Sequence, residues 1–223
     1  MEIADELAAR GYAIAPALLS VAQCAELRAR FDEDALFRNT VVMERHGYGR
    51  GVYRYFGYPL PPLVADLRER TYAQLAPLAN AWAEALREPS RYPATLPEFL
   101  ERCHAAGQTR PTPLMLRYRA GDHNALHRDL YGDLAFPLQM TVLLGEPGAD
   151  FEGGEFILVE QRPRKQSLAH VVPLGRGDAV VFPNAVRPVC GARGYFRTAF
   201  RHGVAEIRRG ERLTLGLIYH DAR

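Results

Sequence analysis

Two histidines and one aspartate are the residues whose types and spacing best suit metal chemistry. His127 and Asp129 are two residues apart, and His202 follows 75 residues after His127. Residues two apart on a strand project to the same face, so both can bind one ion while Arg128 points away. Two imidazoles and one carboxylate are the facial ligand set of non-haem Fe(II), which leaves coordination positions open for O2. The three residues are therefore candidate iron ligands.

A His-x-Asp triplet also occurs by chance, most often in a surface turn, so its surroundings decide how it is interpreted. Strands are predicted at 114–118, 136–144, 196–202 and 213–219, and turns at 121–122 and 208–210. The triplet thus lies between two strands, and His202 ends a third. This arrangement favours a site within a sheet over a surface turn.

Length and composition predict a single domain over residues 1–223. The chain has 223 residues, 48% of them hydrophobic, which is enough for one substantial core, and no stretch resembles a linker. Up to residue 110 the pattern is mostly helical. Helices are predicted at 3–9, 21–31, 63–86 and 96–103, with a short strand at 12–15. Ser20 and Gln23 have the spacing of a capping box before the second helix.

The remainder, residues 111–223, changes to short strands separated by Gly, Pro and Asp, as in a barrel or sandwich. The apolar stretches are too short to cross a bilayer and the start of the chain is acidic, so we expect a cytoplasmic protein with no membrane partner. A net charge of +2 gives no strong global field for nucleic acid. The three cysteines lack metal-binding spacing, which favours reduced thiols.

Further motifs accompany the triplet along the chain. They are Arg-Tyr-Arg-Ala-Gly-Asp at 117–122, Gly-Gly-Glu-Phe at 153–156, Gly-Asp-Ala-Val-Val-Phe at 177–182, His202 and Arg212. With His127-x-Asp129 this series resembles the 2-oxoglutarate/Fe(II)-dependent dioxygenase superfamily. The runs at 129–133, 160–164 and 201–204 resemble, more narrowly, a bacterial group of nucleic-acid oxygenases distantly related to AlkB-type demethylases.

The resemblance implies an α+β fold that is mainly β. Residues 111–223 would form a double-stranded β-helix, or jelly roll, and the N-terminal helices would pack on one of its sheets. It also implies Fe(II), 2-oxoglutarate and O2 as cofactor and cosubstrates.

Roles for individual residues follow from the same resemblance. His127, Asp129 and His202 would hold Fe(II), and Arg212 would bind the distal carboxylate of 2-oxoglutarate, for which its fork of donors is suited. His220 is a rival third ligand. We favour His202 because the ten-residue step from it to Arg212 matches the superfamily.

Three further residues are candidates for binding the cosubstrate. Tyr118, nine residues before His127, matches the superfamily's cosubstrate-contacting tyrosine, with core packing as the alternative. Thr214, two residues after Arg212, would add a hydroxyl donor. Gln139 forms a polar stripe with Thr141 on an otherwise apolar strand and would face the cavity.

The segment 45–58 interleaves basic and aromatic residues with glycines, the ingredients for stacking bases and holding phosphates. Arg50, Tyr53, Arg54 and Tyr55 are its candidate substrate contacts. The alternative is a loop-hairpin element whose aromatic side chains pack on the jelly roll.

The reaction implied is oxidative decarboxylation of 2-oxoglutarate coupled to hydroxylation of a substrate. With alkylated or single-stranded nucleic acid as the substrate, hydroxylation of an N-methyl group would lead to demethylation. Two alternatives stay open. One is a hydroxylase of a small molecule or a protein side chain, as in the prolyl-hydroxylase-like branch, and the other is a noncatalytic metal-binding jelly roll.

Overall fold

The computed structural model describes residues 3–129 and 132–223. Leu130 and Tyr131 of the run at 129–133, and Met1 and Glu2 at the start, lie outside the described residues. The described helices are α1 (Ile3–Arg10), α2 (Val21–Ala29), α3 (Pro62–Ala85) and α4 (Leu96–Ala105). No helix in these ranges is both long and apolar enough to span a membrane.

The predicted capping box is confirmed at the start of α2. Ser20 Oγ accepts a hydrogen bond from the backbone N–H of Gln23 at 3.2 Å, and Gln23 Oε1 accepts one from the backbone N–H of Ser20 at 3.0 Å. This reciprocal pair satisfies two N–H groups that the first helical turn leaves without partners. The helix ends two residues earlier than predicted, because residues 30–32 tighten into a 3-10 turn.

Fourteen strands are described between residues 13 and 217. They are β1 (Ala13–Ala15), β2 (Phe37–Val42), β3 (Gly49–Arg50), β4 (Val52–Phe56), β5 (Leu114–Arg119), β6 (His123–His127), β7 (Leu138–Leu143), β8 (Phe151–Gly153), β9 (Phe156–Gln161), β10 (Leu168–Val172), β11 (Ala179–Pro183), β12 (Val186–Gly191), β13 (Gly194–Val204) and β14 (Ile207–Leu217).

The strands form two antiparallel sheets. The major sheet has the order β1-β11-β7-β14-β5-β4-β2, with β8 also paired to β14. The minor sheet has the order β10-β9-β13-β6-β3, with β12 paired to β13. This is the predicted jelly roll, mainly β with helices.

Alternate side chains of β14 face the hydrophobic core on one side and the space between the sheets on the other. Leu213, Leu215 and Leu217 are buried in one cluster with side chains of α3 and α4, such as Tyr72 and Phe99. The intervening residues of β14 face the space between the sheets, because side chains two apart share a face. The helices therefore pack on the outer face of the major sheet, as expected, and leave its inner face for the site.

The N-terminal half contributes more to the sheets than the sequence indicates. β2 and β4 pair with each other, and β4 pairs with β5, so this hairpin extends the major sheet within a region expected to be mostly helical. Its short strands flank a 3-10 turn at Met43–His46. This turn obscures the alternation of apolar and polar residues by which a strand is recognised in a sequence.

The turn predicted at 208–210 is wrong, because these residues lie inside β14. Pairing with β8 keeps the strand extended, and the register shifts between Ile207 and Arg209. Gly210 has φ of +80°, and a Cβ there would lie 2.0 Å from the carbonyl oxygen of Asp150. Gly210 suggested a turn in the sequence, but it lies at an irregularity within strand β14.

Candidate metal and cosubstrate site

The two sheets bring the three predicted iron ligands together. His127 ends β6, and the antiparallel pairing places it directly opposite His202 on β13. Asp129 follows two residues after His127 and is buried. Among residues 3–129 and 132–223, these three side chains form the cluster whose ligand atoms converge, all within 4.8 Å of one another.

The spacing of these donor atoms suits one metal ion. Asp129 Oδ2 lies 3.2 Å from His202 Nε2, and Asp129 Oδ1 lies 3.5 Å from His127 Nε2. Metal bonds of about 2.1 Å at right angles place neighbouring donors about 3 Å apart. Two nitrogens and one carboxylate on one side of an ion leave its opposite side open. The triad is therefore positioned to hold a metal as a facial set.

Burial and mutual charge set the protonation of the triad. Burial opposes ionisation of Asp129, but the imidazoles of His202 and His127 outweigh it and hold the pKa of the carboxyl well below its usual range. Burial lowers the pKa of His202. Burial would also lower the pKa of His127, but its hydrogen bond to Asp129 and the carboxylate charge raise it. An ionised carboxylate is thus ready to neutralise part of a cation.

Neighbouring groups fix both imidazole rings. His127 Nδ1 lies 2.8 Å from the carbonyl oxygen of Ala125, which selects the tautomer that leaves Nε2 free for a metal. Phe182 and Phe156 pack against the His202 ring, with centroid distances of 4.9 and 6.1 Å. The two phenylalanines belong to the core between the sheets, and each is the last residue of a motif noted in the sequence, at 153–156 and 177–182.

A cavity of about 400 Å³ extends from the triad between the sheets. Its walls include Arg212, Thr214, Gln139 and Tyr118, the four predicted cosubstrate residues. The structure thus brings all four into the same space as the triad.

Arg212 is the buried cation of this cavity. Its side chain is 2% exposed, and Nε and Nη1 have no hydrogen-bond partner among the described residues. Burial lowers the pKa of Arg212 to about 10, although Tyr118 and Glu155 oppose the shift. Unpaired donors of a buried guanidinium carry a large desolvation cost, so their chemistry calls for an anion.

Gly154 allows the backbone to pack closely against this arginine. A Cβ at Gly154 would lie 2.8 Å from Arg212 Cδ and 2.2 Å from Ile207 Cδ1, and the residue has φ of +64°. Both the space and the backbone conformation therefore favour glycine at this position. The run at 153–156 therefore lies against the side chain of Arg212.

Tyr118 is fully buried beside Arg212, and its hydroxyl accepts a 3.1 Å hydrogen bond from Asn124 Nδ2. Asn124 also lines the cavity, although the sequence analysis did not single it out. Gln139, nearly fully buried, presents an Nε2 group with no partner in the described chain. Both amides are polar groups that a ligand in the cavity can reach.

The four candidate substrate residues separate into two sets. Tyr53 and Tyr55 line the cavity, and their rings meet edge to face at 5.4 Å. Arg54 alternates with them and turns to the other face of β4, where its guanidinium donates to the carbonyl oxygen of Phe31 at 2.7 Å. Arg50 is exposed and pairs with Glu44 at 3.2 Å, outside the cavity wall. The structure therefore gives Arg54 a packing role in place of the expected substrate contact.

His220, the rival third ligand, lies apart from the triad cluster. The backbone N–H of Phe136 donates to its Nδ1 at 3.2 Å, and burial, followed by the charge of Arg68, lowers the pKa of His220 to about 4. It therefore serves as a neutral buried acceptor.

The chain is similar to known proteins in sequence and in fold. Residues 51–222 match the family described as an oxygenase catalysing oxidative methylation of damaged DNA. A protein of Mycobacterium tuberculosis, described as uncharacterized in each of two strains, is 47% identical over 167 residues, which cover 75% of this chain and 72% of that protein.

Solved structures share the fold at low sequence identity. A prolyl-4-hydroxylase from Pseudomonas putida has a TM-score of 0.56 at 18% identity, over 99% of this chain and 97% of that one. A 2OG-Fe(II) oxygenase family oxidoreductase from Burkholderia pseudomallei has a TM-score of 0.52 at 16% identity, over 99% and 91% of the two chains. The chain belongs to the oxygenase family that matches residues 51–222, it carries a His-Asp-His triad that could hold a metal ion, and it shares its fold with a 2OG-Fe(II) oxygenase.

Proposed function

We propose that this oxygenase removes alkyl groups from nucleic-acid bases by hydroxylating the carbon attached to nitrogen. The observation that carries the proposal is a single cavity in which the triad, a buried guanidinium with two unpaired nitrogens and two tyrosine rings meet. The description of the family names damaged DNA as the substrate, which supports the same class for this chain.

The keto acid would bind at the Arg212 end of the cavity. The unpaired Nε and Nη1 groups are donors that an anion would satisfy, because hydrogen bonds between a guanidinium and a carboxylate are charge-assisted. Thr214, two residues along β14, lines the same wall. The Tyr118 hydroxyl already accepts a hydrogen bond from Asn124, so its own proton is free to donate to a cosubstrate oxygen.

His127, Asp129 and His202 would hold the iron at the other end of the keto acid. When both are bound, Fe(II) and 2-oxoglutarate supply the oxidant on reaction with O2, with release of succinate and CO2. The residues of the chain position this chemistry and screen it from water. The phenylalanines packed on His202 fix one ligand and give the iron an apolar flank.

The base would enter beside Tyr53 and Tyr55. These rings lie with Leu114, Leu116 and Ile218 in one cluster, which makes this part of the cavity flat-sided and apolar. Burial raises the pKa of Tyr53, with smaller contributions from Tyr55, Tyr48 and Asp129, so Tyr53 stays neutral and lies within electrostatic reach of the triad. Aromatic walls suit an unstacked base, because every base has a π-face.

Formaldehyde release tests this proposal. The purified protein is supplied with Fe(II), 2-oxoglutarate and O2 and mixed with a single-stranded oligonucleotide that carries one N-methylated base. We expect formaldehyde, succinate and the unmodified base in equal amounts. An unmethylated oligonucleotide and a proline-containing peptide serve as controls. Hydroxylation of the peptide with no formaldehyde from any methylated base would replace the proposal with a protein hydroxylase.

Tyr55→Leu separates substrate binding from cosubstrate binding. The variant keeps an apolar side chain but removes the ring, so we expect a higher KM for the methylated oligonucleotide with an unchanged Kd for 2-oxoglutarate. Arg50→Ala is a matched control on the same segment, because Arg50 is outside the cavity wall. Equal effects of the two variants would argue against a base beside Tyr55.

A further inference from the structure

Two large apolar side chains are exposed where the cavity opens to solvent. Tyr48 is 51% exposed and Leu126 is 46% exposed, and both also contribute to the cavity wall. Among residues 3–129 and 132–223, the other large exposed apolar side chains, such as Tyr195, do not line the cavity. We call Tyr48, His46 and Leu126 the mouth surface.

The rings of the mouth surface are already arranged for stacking. The Tyr48 ring stacks on the His46 ring with a centroid distance of 5.3 Å and an interplanar angle of 22°. The pair presents an aromatic face beside the opening, with the exposed Arg45 next to His46 in the sequence. Arg128, which was expected to point away from the metal, lines the cavity and adds a second cation, and its Nε donates to the carbonyl oxygen of Phe200 at 3.1 Å.

The mouth surface is firmly attached to the metal-binding strand. The carbonyl oxygen of Tyr48 accepts a 3.0 Å hydrogen bond from the backbone N–H of Ala125, two residues before His127. A Cβ at Gly49 would lie 2.4 Å from the carbonyl oxygen of His123, and Gly49 has φ of +123°, so this approach of the backbones requires glycine. The position of Tyr48 relative to the triad is thus fixed by the backbone.

The size of the cavity limits how much of a polymeric substrate it can hold. At about 400 Å³ it is near the lower end of the roughly 300–1,000 Å³ range of ligand pockets. With the keto acid at Arg212, the remaining space suits one base and excludes a chain of nucleotides. The rest of a polymeric substrate must therefore pass over the mouth.

We infer that the mouth surface docks single-stranded nucleic acid by stacking the nucleotide next to the oxidised one on Tyr48, while Leu126 packs against the strand. This rests on the proposed function. Stacking on aromatic rings is tolerant of sequence, and the arginines nearby suit the phosphate backbone. The enzyme would accordingly favour a methylated base within a strand over the same base in a free nucleotide.

The test compares a methylated single-stranded pentanucleotide with the corresponding methylated mononucleotide as substrates. For Tyr48→Ala we expect kcat/KM to fall about 5- to 100-fold more for the pentanucleotide than for the mononucleotide, the range of one lost stacking contact. Tyr48→Trp keeps an aromatic ring and should restore the wild-type preference. Tyr195→Ala, which removes a 58% exposed tyrosine outside the cavity wall, is the matched control.

Direct binding gives a second readout. Fluorescence anisotropy of a labelled single-stranded oligonucleotide, measured with Mn(II) and 2-oxoglutarate present, should show a higher Kd for Tyr48→Ala than for Tyr195→Ala. If Tyr48→Ala matches Tyr195→Ala in both Kd and substrate preference while the wild type oxidises methylated bases, the docking surface is overturned and the proposed function stands. If the wild type oxidises neither substrate, the proposed function itself fails.

Discussion

Asn124 Nδ2 donates a 3.1 Å hydrogen bond to the hydroxyl of Tyr118, and both residues line the cavity that holds the triad. The two residues are six apart in the sequence, on the consecutive strands β5 and β6, which belong to different sheets, so the bond joins the major sheet to the minor one. It occupies an acceptor site of the tyrosine oxygen and leaves its O–H directed elsewhere. Asn124 is therefore a positioning residue for Tyr118.

Asn124→Ala should weaken 2-oxoglutarate binding through Tyr118. We expect the Kd for 2-oxoglutarate, measured by calorimetry with Mn(II) bound, to rise about 2- to 10-fold, the value of one hydrogen bond. In a Tyr118→Phe background the same substitution should have no further effect. Additive losses in this double-mutant cycle would contradict an action through Tyr118.

Substitution of His127 should abolish metal binding, whereas substitution of His123, on the same strand β6, should not. His127→Ala deletes one of three ligands, so the Kd for Mn(II) should rise more than about 100-fold, beyond what loss of an outer partner costs. His123→Ala, four residues earlier on the same strand, should bind the metal as the wild type does. Metal titration followed by spectroscopy measures both, and retained binding in His127→Ala would remove it from the site.

Arg212→Met should stabilise the ligand-free protein while abolishing binding of the keto acid. Its Nε and Nη1 groups are buried without partners in the described structure, so an apolar side chain removes an uncompensated cost of about 1–3 kcal/mol. The free energy of unfolding, measured by denaturant titration, should rise. Addition of 2-oxoglutarate should raise the Tm of the wild type alone, because only that protein binds it.

Arg187→Met is the matched control for the direction of this change in the free energy of unfolding. Arg187 is equally buried but pairs with Glu160, with Nη2 3.4 Å from Oε2. Its removal leaves the buried Glu160 carboxylate with Arg162, at 2.6 Å, as an arginine partner, so the free energy of unfolding should fall by about 1.5–3 kcal/mol, the value of a hydrogen bond to a charged group. Destabilisation by both substitutions would show that Arg212 is satisfied in the ligand-free protein.

His220 should make the protein sensitive to mild acid. Burial lowers its pKa to about 4, whereas the unfolded chain titrates near the ordinary value of about 6.5. The unfolded state therefore takes up a proton first as the pH falls from 6.5 to 4, and about 3 kcal/mol of stability is lost across this window. His220→Asn keeps an acceptor for the Phe136 N–H and should flatten the dependence. Denaturant titrations between pH 7 and 4 measure the difference, and parallel curves would refute it.

Arg54→Ala should lower stability without changing the chemistry. The guanidinium donates to Phe31 and Thr40 on the face of β4 that points away from the cavity. Loss of these bonds should cost about 1.5–3 kcal/mol in the free energy of unfolding, while kcat and the KM for 2-oxoglutarate stay at wild-type values. A specific loss of substrate affinity in Arg54→Ala would instead support a contact between Arg54 and the substrate.

Local spacing predicted His127 and Asp129, whereas His202, 75 residues from His127, was assigned through the resemblance to the dioxygenase superfamily. A spacing of two on an extended segment places His127 and Asp129 on one side, and alternation does the same for Arg212 and Thr214. The partners that complete the site, such as Asn124, could not be predicted. The contact of Asn124 with Tyr118 depends on how the two sheets face each other, because β6 and β5 belong to different sheets.

The segment 45–58 shows a different difficulty. Read as a loop, its basic and aromatic residues form one group, but as strand β4 it divides by alternation into two faces. Tyr53 and Tyr55 then belong to the cavity and Arg54 to the opposite face. The assignment of β4 requires its pairing with β5, more than sixty residues away in the chain.

The hairpin of β2 and β4 at the edge of the major sheet has an evolutionary consequence. His127, His202 and Arg212 come from β6, β13 and β14, whereas the tyrosines proposed to meet the base come from this separate hairpin. Sequence changes there can reshape what the enzyme accepts without disturbing how it oxidises. Such a layout lets a lineage of oxygenases diversify its targets while inheriting an unaltered reaction centre.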